Sequence, residues 1–282
     1  MGKQNDWVIP LKVCRESIRK WSGDARVLAI IFLVCLFAWV RIKDLRGMCI
    51  ANELSISCWY FAFQMAGIHA LFYYFGLLLL FCDAPFIDKQ QMDVILRTGK
   101  KNWFIGKILY IIVASCLYFL LIYVVGVLEF VPYVGFSTEW EDMINILSMD
   151  DLYGSIINRS IVMTYTPIEA CLTQYVVCVL FAIFLGLLIF YSNLFKSKVI
   201  GIGIALTMVL TGVLVNMVNL VVARIAVYFI PMVWTNIEVF KRTAEGVPFV
   251  YAIAMLSIGI VVLIILIMQK SKSYSIECQE EM

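Results

Sequence analysis

The sequence predicts an all-α, polytopic integral membrane protein, and three observations carry that prediction. Apolar residues fill 63% of the 282 positions, at a mean hydropathy of +0.93. Charged residues make up only 15%, against about 25% in a soluble domain. Several apolar runs reach the roughly 20 residues that cross a bilayer as a helix. The net charge of +2 is too small to point to nucleic acid as a partner, so the placement of charge matters more than its sum.

The first element is amphipathic. Trp7, Leu11, Cys14, Ile18 and Trp21 recur at steps of four and three, with Lys12, Arg15, Glu16, Arg19 and Lys20 on other faces. Residues 1–24 therefore read as a helix lying in the membrane interface, with tryptophan at headgroup level and bases toward anionic lipid. The alternative is a helix packed on a soluble partner. Met1 to Lys20 lacks an uncharged stretch ahead of a small-residue cleavage site, which argues against a cleaved signal peptide.

Residues 25–282 read as one transmembrane domain with six spans, near 25–42, 58–82, 104–128, 170–192, 199–222 and 249–268. In the first span Arg26 and Arg41 are expected to snorkel at the two ends. Most of the 22 basic residues fall before residue 27, between 89 and 107, at 196 and 198, and after 269. Between Glu129 and Glu169, by contrast, seven carboxylates accompany the single Arg159. The positive-inside rule then places both termini in the cytoplasm of a plasma membrane.

The segment 83–107, between the second and third spans, is polar and basic, and it contains a short helix over 88–99. Asp88 is placed as its N-cap, with Gln91 three residues on to complete a capping box. Gly99 sits where a left-handed C-cap ends the helix, and Arg97 lies in its last turn, where a cation suits the dipole. Met92, Ile95 and Leu96 give this helix an apolar face, followed by Lys100 and Lys101. Such a helix on the cytoplasmic side reads as a docking point.

The external segment 129–169 is too polar to span. Trp140, Met143, Ile144 and Leu147 at helical spacing predict a short helix on the outer surface. Segment 223–248, with Pro231, Trp234 and Pro248, predicts broken helices at the outer interface. The nine cysteines are scattered and read as small hydrophobes. Cys49 and Cys58 flank an external loop and read as unbridged, with a disulfide as the alternative.

Known catalytic signatures are missing. His69 is the chain's one histidine, which excludes H-E-x-x-H, and neither G-x-S-x-G nor G-x-x-x-x-G-K-[ST] occurs. The chain is therefore expected to be neither an enzyme nor the holder of a metal or cofactor. Intramembrane polar groups remain as candidates. Gln64 and His69 can line a polar path or simply bond a neighbouring helix. In the fifth span, Gly201, Gly203, Thr207, Thr211, Gly212, Asn216 and Asn219 allow close helix approach and interhelical hydrogen bonds. That face reads as intramolecular packing, a subunit interface or a translocation lining.

In order, these parts are the amphipathic helix, six spans, the capped helix after the second span and the broken outer helices before the sixth. Their layout resembles the transmembrane subunit of an ABC-2-type exporter. The stretch Asp83-Ala84-Pro85-Phe86-Ile87, continued by Val94-Ile95-Leu96-Arg97-Thr98-Gly99-Lys100-Lys101, is similar to the loop after the second span in bacterial permeases of that family. Tyr165-Thr166-Pro167, entering the fourth span, is similar as well. The resemblance implies that helix 88–99 is a coupling helix receiving a separate ATPase, which would supply ATP and Mg. It implies a second permease subunit, identical or related, and a path bordered by the first, second and fifth spans. The apolar spans lean toward a lipid, amphipathic peptide or hydrophobic drug as cargo. Two other readings remain open: a membrane-embedded interaction or sensing subunit that moves nothing, and an ion-coupled secondary transporter.

Overall fold

A computed structural model describes residues 7–65, 69–84, 86, 89–150, 156–195, 198–217, 226–240 and 246–273. Helices dominate these residues because apolar runs without internal proline satisfy their backbone groups within the segment. In chain order they are α1 (Val8–Arg19), α2 (Ala25–Asn52), α3 (Phe61–Gln64), α4 (His69–Phe81), α5 (Lys89–Thr98), α6 (Lys100–Phe130), α7 (Asp142–Met149), α8 (Arg159–Thr164), α9 (Pro167–Asn193), α10 (Lys198–Met217) and α11 (Phe249–Ser273). Between α10 and α11, Pro231–Thr235 and Ile237–Val239 form two short 3-10 turns.

Four helices, α2, α6, α9 and α11, are long and apolar enough to cross a membrane. The 31-residue α6 alone rises roughly 46 Å. One of the six predicted spans is not continuous. The second is not one helix over 58–82. Its described parts are the single turn α3 and the 13-residue α4, which rises only about 20 Å. Within the fifth predicted span, α10 covers Lys198–Met217, and residues 218–225 lie outside the described set. The first also departs from expectation, because α2 runs on past residue 42 to Asn52. Glu53 then closes it with a left-handed φ of 54°.

Caps fix the other ends. Asp24 accepts from the Arg26 N–H at 2.9 Å to start α2. Thr166 and Glu169 form a reciprocal capping box at the start of α9, with Pro167 in its first turn. Asn158, the first residue of the Asn-Arg-Ser tripeptide, caps α8 by accepting from the Ser160 N–H at 2.8 Å.

The bundle core is α2, α4, α6, α9, α10 and α11, with α9 packed against α6, α10 and α11. At one end, α1 lies along the start of α6. Its buried residues are Pro10, Val13, Cys14 and Ser17, while Trp7 and Leu11 of the predicted apolar stripe are exposed. The reason is a notch: Gly106 has no side chain, and a Cβ there would lie 2.6 Å from the Val13 Cβ and 2.9 Å from the Pro10 carbonyl oxygen. The same end holds the Asn193 amide, which donates to the Ala84 carbonyl at 2.6 Å. Lys270, near the end of α11, lies 4.5 Å from the Phe195 ring centroid.

At the other end, two two-residue strands, β1 (Ile56–Ser57) and β2 (Val134–Gly135), pair in parallel, Ile56 with Val134 and Ser57 with Gly135. Helix α7 packs against β1 and α8. Its Met143, Ile144 and Leu147 are buried, as the helical spacing predicts, and Trp140 donates to the Tyr165 carbonyl at 2.9 Å. Cys49 and Cys58 are both buried free thiols.

Candidate functional site

Two places concentrate the chemistry. The first is α5 and its hinge into α6. Gly99 ends α5 with φ 79° and ψ 146°, and its N–H bonds the Ile95 carbonyl at 2.9 Å. The φ is positive, as a glycine C-cap predicts, but the ψ is extended rather than left-handed helical. That conformation is open essentially to glycine alone, and it turns the chain directly into α6.

Asp88, the predicted N-cap, lies outside the described residues, as do the side chains of Gln91 and Met92. The apolar face divides. Ile95 is 4% exposed and belongs to the bundle core, so it is not on the outward face where the sequence places it. Leu96 is 83% exposed. Arg97, Lys100 and Lys101 are exposed beside it.

The helix end that α5 adjoins carries a buried cation. Lys107 is 1% exposed, with its Nζ 3.0 Å from the Ser17 Oγ on α1. The rings of Phe86, Trp103 and Tyr110 surround it at 5.4, 5.5 and 6.0 Å. Burial pushes the neighbouring Cys14 thiol up, against the lowering influence of Lys107.

The second place is an inner polar cluster around the break between α3 and α4. Arg41 was expected at a helix end, snorkelling. It is instead buried in the middle of α2, where Nη2 donates to the Phe63 carbonyl at 3.4 Å and the Ile156 carbonyl at 3.5 Å. Because α2 continues to Asn52, Arg41 has no helix end to snorkel from. The Tyr60 hydroxyl lies beside its guanidinium, and His69 and Tyr73 lie in its neighbourhood. Glu129, half-buried near the end of α6, also acts on Tyr73. Gln64 is 1% exposed, and its amide occupies the space where a Cβ at Gly126 would sit.

Within this cluster Arg41 Nε, Gln64 Oε1, Tyr73 OH and Glu129 Oε2 are buried and make no hydrogen bond among the described residues. Each such atom costs about 1–3 kcal/mol, a cost that a purely structural core avoids. His69 sits half-buried at the first position of α4. The structure thus brings Gln64 and His69 together with four groups that the sequence reading had not joined to them. One signal was available for Arg41: it falls in phase with Val34, Ala38, Leu45 and Cys49, all buried.

Thr207 and Thr211 lie elsewhere, on an exposed face of α10. Their hydroxyls bond back along the helix, Thr207 to the Gly203 carbonyl at 2.8 Å and Thr211 to the Thr207 carbonyl at 2.9 Å. They are not part of the inner cluster. The Asn216 side chain and all of Asn219 lie outside what is described. No group of three or more metal-binding side chains occurs among the described residues. Comparison with protein-family models, with curated proteins and with solved structures returns no match to this chain.

Proposed function

We propose that this chain is the permease subunit of an ATP-driven transporter of the ABC-2 type. It crosses the membrane six times with both termini inside, receives a separate ATPase on α5 and exports a hydrophobic or amphipathic cargo. The observation that carries the reading is the division of α5. Ile95 roots the helix in the bundle, while Leu96, Arg97, Lys100 and Lys101 face outward. Gly99 passes any displacement of that helix straight into α6. A helix built this way can transmit a push from a cytoplasmic motor to a transmembrane segment.

The geometry favours a second reading at one point. The inner cluster of Arg41, His69, Tyr73 and Glu129 is the kind of intramembrane polar group that ion-coupled carriers use. One experiment separates the two. The native protein is purified in mild detergent, its partners are identified, and transport is assayed in vesicles with ATP or with a proton or sodium gradient alone. A co-purifying ATPase and ATP-dependent transport are expected.

Leu96→Asp should abolish ATPase retention while leaving thermal stability unchanged, because that side chain is exposed. Ile95→Asp should instead lower stability by about 3–5 kcal/mol, since it buries an unpaired carboxylate. ATPase-free protein that transports on an ion gradient, or normal ATPase retention by Leu96→Asp, defeats the proposal.

A further inference from the structure

The inner cluster carries a charge that the described residues leave unbalanced. The Arg41 side chain is buried, and its partners are two backbone carbonyls and the Tyr60 hydroxyl, none of them charged. Glu129, the carboxylate of the cluster, has a different charged neighbour, Arg46. Two guanidinium groups against one carboxylate leave one positive charge, and it lies on Arg41. A buried charge without a counter-ion is costly, and a protein that keeps one has a use for it.

The orphaned atoms show what can balance it. Arg41 Nε and the Tyr73 hydroxyl can donate, whereas Gln64 Oε1 and Glu129 Oε2 only accept. A metal cation would suit the two acceptors, but it would double the surplus charge and leave Arg41 Nε unpaired. A proton on Glu129 would also double it. Water alone would satisfy hydrogen bonds and leave the charge. A monovalent anion does both: it accepts from Arg41 and Tyr73 and brings the local sum to zero. One water of its hydration shell can then give its two hydrogens to Gln64 and Glu129.

We propose that this cluster binds a small monovalent anion of the halide class, held between Arg41 and Tyr73. The surroundings select for weak hydration. The Tyr60 ring packs 5.8 Å from Phe63 and 5.1 Å from Phe130, and Phe63 lies 5.3 Å from Trp140. An anion entering among these rings sheds most of its water, which chloride or bromide does more readily than sulfate. Arg41 also bonds the Phe63 and Ile156 carbonyls, so an anion that fixes the guanidinium steadies α2, α3 and the link before α8 together. The assignment rests on the buried charge and needs neither an ATPase nor transport.

The test uses the full-length protein in detergent, with chloride replacing gluconate at constant ionic strength. Thermal unfolding and the chlorine NMR line width are followed together. The melting temperature should rise and saturate with chloride, as it does for a ligand of the folded state. Bromide should act at least as well, and sulfate should not act. Tyr73→Phe keeps the ring and removes one donor, so half-saturation should need about tenfold more chloride. Arg41→Gln should abolish the response, and Arg41→Lys, which keeps the charge, should retain part of it. The wild-type and Tyr73→Phe measurements decide the matter even where an Arg41 variant fails to fold. Indifference to chloride, an equal response to sulfate, or unchanged chloride affinity in Tyr73→Phe would each overturn the assignment.

Discussion

Lys107 and Arg41 are both buried cations on long apolar helices, yet their surroundings differ. Lys107 has a hydroxyl at 3.0 Å and three aromatic faces, supplied by α1, the link before α5 and α6 itself. Arg41 reaches two backbone carbonyls only at 3.4 and 3.5 Å, and its Nε makes no hydrogen bond among the described residues. The start of α6 around Lys107 is thus fully contacted, and α1 is seated on Gly106. The region around Arg41 is polar and incompletely paired. Local stability should follow that difference, higher where α1 seats on α6 and lower around Arg41.

Of the changes that compare the two ends, the largest effect should come from the end of the bundle beyond Arg41. Gln174 on α9 donates from Nε2 to the Thr235 carbonyl and accepts from the Ile237 N–H at 3.0 Å, clamping both 3-10 turns to the bundle. Gln174→Leu keeps the volume but leaves two buried backbone groups unpaired, at about 2–4 kcal/mol in total. Thermal unfolding in detergent should show the loss, and a cysteine placed at Glu238 should become more reactive. If unfolding is unchanged, the turns are held by packing and the clamp is redundant.

A smaller effect is expected at the fitted end. Gly106→Ala places a methyl group against Val13 and the backbone of Pro10, and α1 cannot yield without leaving the notch. Overpacking of this kind costs about 1–3 kcal/mol. The readout that distinguishes the two ends is local: trypsin should cut faster at Arg15 and Arg19, while labelling at Glu238 stays as in the wild type. Equal disturbance at both positions would mean that the bundle responds as one unit, and the contrast between its ends would dissolve.

Much of the helical layout was legible because run length and period are local properties. The end of α5 at Thr98 falls directly before the glycine that the capping pattern selected, and α7 buries the three apolar positions its spacing selected. The interior was less legible. An apolar run gives no sign that α3 ends at Gln64, since hydropathy is blind to where a helix stops. Arg41 and Lys107 were read as boundary charges because a sequence shows no partner 115 positions away, as the Ile156 carbonyl is from Arg41. Likewise the buried face of α1 was set by a glycine on another helix. Of its predicted stripe, Trp7 and Leu11 stay exposed, as a membrane-facing side requires, while Cys14 is buried and Ile18 and Trp21 pack against the core.

The smallest expected effect tests whether the region around Arg41 is loose in its helix ends as well as in its interior. Thr166 and Glu169 bond each other's backbone at 3.4 and 3.1 Å, and this box starts the helix that packs against α6, α10 and α11. Thr166→Ala removes one of the two bonds, and losing an N-cap side chain costs about 1 kcal/mol. Most of α9 is buried from Ala170 onward, so its packing should hold the helix and confine fraying to the first turn. Amide exchange should therefore rise at Glu169 and Ala170 and stay low at Val177, with only a small drop in melting temperature. Thr166→Ser, which keeps the oxygen, should restore protection. Exchange that spreads to Val177 would show that the cap, rather than the core, holds this end of α9, and that the looseness around Arg41 reaches into the longest-buried helix of the bundle.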